Sequence, residues 1–65
     1  MRSSELLRKL RRLGAVVQPQ RGIGGHIRVE LGSRRTIVPT GSRDIRTGPL
    51  HSILWDLGLT LEDLR

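Results

Sequence analysis

At 65 residues, with a net charge of +6, 35% hydrophobic residues and no cysteine, the chain is expected to form one small domain, residues 1–65, held by aliphatic packing alone. That composition excludes a disulfide framework and a cysteine-based zinc site. No apolar run approaches the roughly 20 residues of a membrane span, and the N-terminus lacks the apolar block of a signal peptide, so a cytoplasmic location is expected.

The charge is laid out unevenly, +4 over residues 1–12, +4 over residues 21–46 and −2 over residues 47–65. Eleven of the twelve cations are arginine, whose planar fork suits phosphate better than the point charge of lysine, so a polyanion partner is the leading inference. A genome-wide bias toward arginine codons is the bland alternative. Trp55 is the only aromatic residue, which argues against the stacking platforms that single-strand RNA readers use.

In chain order, Ser3 or Ser4 is placed to cap a helix whose stripe is Leu6, Leu7, Leu10 and Leu13, with Gly14 at its end. Arg8 and Arg12 fall opposite that stripe and Lys9 and Arg11 on its flanks, a solvated face or an RNA contact. AVVQ, residues 15–18, predicts a short strand that Pro19 confines to a strand end or sheet edge. GHIRVEL is the clearest strand, and GSRR reads as a hairpin turn into TIV, closed by Pro39. TGSRDIRTG is a polar connection. Gly48 and Pro49 then open a second helix with Leu50, Ile53, Leu54 and Leu57 on one stripe and Gly58 at its close, and Thr60 with Asp63 has the capping-box pattern of one further turn.

The expected class is therefore α+β, ordered helix, three antiparallel strands, helix. Both helices should cover the sheet face that bears Ile27, Val29 and Leu31. His26, Arg28 and Glu30 are left on the free face, where a histidine beside arginines is a candidate for chemistry. Gly24 and Gly25 allow a backbone, the protein's own or an RNA's, to come close to His26, though an ordinary hairpin loop accounts for them too. The GIGG run is not a phosphate loop, because no GK[ST] follows and it leads into a strand instead of a helix.

Two histidines 25 residues apart do not make a metal site, and neither a nucleophile elbow nor a glycosidase acid pair is present. RNA cleavage asks for less, since the substrate's own 2′-OH is the nucleophile. The protein need only position the phosphodiester, move protons and stabilise the charged transition state. A histidine, with an unperturbed pKa near 6.5, suits proton transfer around neutrality. Arg28 is the first candidate for phosphate contact, followed by Arg21, Arg34 and Arg35. His51 reads as a surface residue at the edge of its helix stripe. Trp55 lies off the stripe, covered by Leu61 and Leu64 or marking a partner interface.

The opening SSELLRKLRRLG, the element GGHIRV, the strand end TIVP and above all GPLHSILWDLGLTLEDL resemble the HicA toxin family of bacterial type II toxin–antitoxin systems over nearly the whole chain. The resemblance implies a helix-strand-strand-strand-helix fold similar to double-stranded-RNA-binding domains. It implies a ribosome-independent mRNA interferase with no cofactor, neutralised by a HicB-type antitoxin that covers it, and it carries the family's catalytic histidine onto His26. Gly25 and Val29 stand where family members have serine and an aromatic residue, and Thr40 and Gly41 follow Pro39 where a second histidine is frequent. The rival expectation is a non-catalytic RNA-binding module of the same fold.

Overall fold

A computed structural model describes residues 1–19, 25–40 and 44–65. Its elements are α1 (Ser3–Arg12), β1 (Val16–Pro19), β2 (His26–Leu31), β3 (Arg34–Pro39), α2 (Thr47–Leu57) and a C-terminal 3-10 turn (Leu61–Leu64). The strands form an antiparallel meander in the order β1-β2-β3. This is the α+β arrangement that the hydrophobic patterning predicts.

The sheet has two unlike faces because side chains alternate along each strand. Val17, Val29 and Thr36 form one cross-strand row, and Val29 and Val38 are fully buried. Ile27 and Leu31, toward the ends of β2, are only half-buried but pack against the same cluster. Both helices cover this face. Leu6, Leu7 and Leu10 of α1 and Leu50, Ile53, Leu54 and Leu57 of α2 share one core with Val29 and Val38, α1 lying beside β1 and α2 beside β3.

Three local readings need correction. The cap of α1 is the extended Arg2, not Ser3 or Ser4. Arg2 bridges Asp44, and the Ile45 N–H donates to the Met1 carbonyl at 2.7 Å, so tertiary pairing sets the helix start one residue earlier. Ser3 then falls in register with Leu6, Leu7 and Leu10 as i, i+3, i+4 and i+7 and is buried with them. Leu13, expected on that stripe, follows the last helical residue and is 40% exposed. Ile45, inside the segment read as a polar connection, is a core residue.

The turns follow residue chemistry closely. Gly32 and Ser33 join β2 to β3, and only Gly32 has positive φ, as a II′ hairpin turn requires at its first central position. At the end of α2, the Leu59 N–H donates to the Leu54 carbonyl at 2.8 Å and the Gly58 N–H to the Trp55 carbonyl at 3.0 Å, a Schellman motif. Gly58 sits at φ 72°, and a Cβ there would lie 3.0 Å from Nε of Arg34. Gly58→Ala is therefore expected to lower stability by about 1 kcal/mol or more, from positive φ and displacement of Arg34 together. Urea unfolding of the variant beside wild type measures it. The C-terminal turn carries the expected box, the Thr60 N–H donating to Oδ2 of Asp63 at 2.8 Å.

Candidate active site

The site lies where the sheet face that the helices leave open meets the free edge of β3. His26, Arg28 and Glu30 of β2 stand there opposite Pro39, Ile37 and Arg35 of β3. A groove of about 700 Å³ opens beside them. From the sheet it is lined by His26, Arg28, Arg35, Thr36, Ile37 and Pro39. Its opposite wall is a single stripe of α2, Pro49, Ser52, Ile53 and Asp56, spaced i, i+3, i+4 and i+7.

His26 is exposed at the first position of β2, immediately after Gly25, whose φ is 85°. The Gly25 carbonyl accepts the Thr40 N–H at 2.7 Å, which extends the β2–β3 ladder past Pro39 and fixes the backbone on either side of the histidine. A Cβ on Gly25 would meet nothing within 4 Å. The glycine is thus required for its backbone angle, and no part of the described chain makes the close approach expected at Gly25.

Arg28 sits at the centre of the middle strand, half-buried between Gln18 and Ile37, its cross-strand neighbours. Arg35 is exposed and faces Glu30 across the ladder. Arg34, one residue earlier on β3, projects to the other side of the sheet, where its side chain lies over Gly58 at the C-terminal end of α2. A cation is favoured there by the helix dipole. The structure therefore brings His26, Arg28 and Arg35 to one groove and leaves Arg34 outside it. Arg21 and Gly24 lie outside the described residues.

Other expected features fall elsewhere. Arg8, Arg11 and Arg12 are exposed on α1, beside β1 and away from the groove along β3, while Lys9 pairs with Glu5 at 3.6 Å. His51 is exposed on α2 and does not line the groove. Trp55 is 81% exposed, so Leu61 and Leu64 do not cover it; Leu64 turns into the core instead. Among the described residues, no group of three His, Cys, Asp or Glu side chains is placed to hold a metal ion. No described helix is long and apolar enough to cross a membrane.

The helix wall of the groove and Thr36 were not legible as such. Thr36 is 7% exposed, a polar side chain on the apolar face. Its hydroxyl donates to Oδ2 of Asp56 at 2.9 Å, which satisfies the buried hydroxyl and clamps β3 to α2 at the groove. The stripe Pro49, Ser52, Ile53 and Asp56 carries the helical period, yet only Ile53 is apolar enough to draw attention to it.

A small α+β domain with one basic, histidine-bearing groove between sheet edge and helix is thereby defined. The family model for the HicA toxin of bacterial toxin–antitoxin systems matches residues 3–59, and the chain belongs to this family. It is accordingly the toxin of a toxin–antitoxin pair. A comparison with curated proteins finds no match.

Proposed function

We propose that this toxin is a ribosome-independent mRNA interferase in which His26 is the general acid or base. The observation that supports it best is the placement of His26, Arg28 and Arg35 around one groove at the edge of the open sheet face. In this chemistry the 2′-oxygen attacks phosphorus, the bond to the 5′-oxygen breaks, and that oxygen leaves with a proton. The products are a 2′,3′-cyclic phosphate and a 5′-hydroxyl, and no water is consumed. His26 either takes the 2′-hydroxyl proton or delivers one to the leaving oxygen, water handling the other.

Arg28, half-buried and so held in place, is assigned to the phosphate and the charge that develops on it; Arg35 contacts flanking phosphate. Gly25 is assigned to RNA binding beside the histidine, and Arg21 and Gly24, which precede it in the chain, are assigned to RNA binding as well. Arg34, over the end of α2, is the weakest of the RNA-binding assignments. The buried Val29 occupies a core position, so the absence of an aromatic residue there leaves the groove unaltered. The resting state is a complex with a HicB-type antitoxin whose surface complements the arginines and hides His26.

End-labelled RNA incubated with the free toxin in EDTA should be cut, with cyclic phosphate ends on the upstream fragments. Loss of cleavage in EDTA that returns with a divalent metal would sink the mechanism. Retarded but intact RNA would instead identify a binding module of the same fold.

A further inference from the structure

β3 is an edge strand, and the groove runs along its free edge. Thr36 faces the helices and Ile37 the open side, yet both line the same opening together with Arg35 and Pro39. Alternating side chains can share one opening only where it follows the strand's edge. The register then assigns the backbone groups. Leu31 pairs with Arg34 across the two-residue turn, and the Thr40 N–H donates to Gly25 at the far end. Bonded pairs alternate in an antiparallel ladder, so Thr36 and Val38 turn their N–H and C=O toward β2 while Arg35 and Ile37 turn theirs toward the groove, with the Pro39 carbonyl beyond. Such a row of alternating donors and acceptors suits another strand better than a phosphate chain.

We propose that the β3 edge is a strand-addition site for an acidic, extended segment of the antitoxin, an inference that rests on the toxin–antitoxin reading. Charge selects the occupant. A second copy of this chain would bring a second set of arginines, Arg28, Arg34 and Arg35, to the same edge, and like charges brought together across a ladder repel. An incoming segment with Asp or Glu on the open-face side meets Arg28 and Arg35, and an apolar residue between them covers Ile37, which is 41% exposed. On the helix side Asp56 already accepts the Thr36 hydroxyl, so the partner's acids belong on the other side. The added strand lies in the groove beside His26, and it silences the toxin by occupying the RNA's place.

Two readouts on the toxin co-expressed with its antitoxin test this. In the wild-type complex, the Arg35 and Ile37 amides should exchange with solvent at least about tenfold more slowly than in the free toxin, while Thr36 and Val38 change little. Ile37→Pro removes an N–H that the sheet does not use, so the ladder survives, and antitoxin affinity should fall about tenfold or more. A complex in which Arg35 and Ile37 exchange as fast as in the free toxin overturns the edge site and leaves the antitoxin reading standing. No complex at all overturns both. Protection of these amides by uncleavable 2′-deoxy-substituted RNA but not by the antitoxin would give the edge to RNA and overturn the proposal.

Discussion

His26→Ala is expected to reduce RNA cleavage by about 10²–10⁴-fold, the usual contribution of a positioned acid or base. The side chain is exposed, so stability should stay within about 0.5 kcal/mol of wild type. That separation makes the variant informative. A folded His26→Ala toxin that still binds RNA but no longer cuts it places the histidine at the chemistry. Equal cleavage by both proteins would mean that the proton moves through another group. Arg28→Ala should also lower cleavage, with Arg28→Lys restoring part of it, because a lysine keeps the charge and loses the fork. Single-turnover rates on end-labelled RNA, with urea melts of each variant, give both quantities.

Leu10→Ala should remove a large share of the domain's stability. Leu10 is fully buried where α1 meets the sheet and α2, and truncating such a leucine costs about 2–5 kcal/mol. A 65-residue domain has only about 3–10 kcal/mol in total, by the usual stability per residue. Without cysteine there is no cross-link to offset the loss. Leu13→Ala is the matched comparison, one turn further on and 40% exposed, and should cost less than about 1 kcal/mol. Circular dichroism at 25 °C against urea separates the two; equal losses would mean that the stripe continues past the helix end.

Periodicity carried most of the fold because the aliphatic residues are few and sharply placed. The leucines of α2 mark one stripe with Gly58 at its close, and Ile27, Val29 and Leu31 alternate with polar residues through β2. What it could not show were features set by contacts between distant segments. Ile45 is a lone apolar residue among arginines, glycines and threonines, and only its pairing with Met1 brings it inside. Ser3 looks like a cap by residue type, but the Arg2–Asp44 bridge moves the cap and leaves Ser3 on the buried stripe. For the site, strand alternation alone put His26 and Arg28 on one face. It also implied that Arg34 and Arg35 part company, although composition grouped them. The Asp56 wall was out of reach because its partner, Thr36, is 20 residues away in sequence.

The bridge between Arg2 and Asp44 also orders events during synthesis. The cap of α1 pairs more than forty residues downstream, and the far wall of the groove belongs to α2, which follows the whole sheet in the chain. The β2–β3 hairpin closes locally, but the start of α1 gains its bridge only once residue 45 has emerged, and His26 faces no groove until α2 has packed against β3. The groove is therefore completed only after α2 has been made, well after the strand that carries His26.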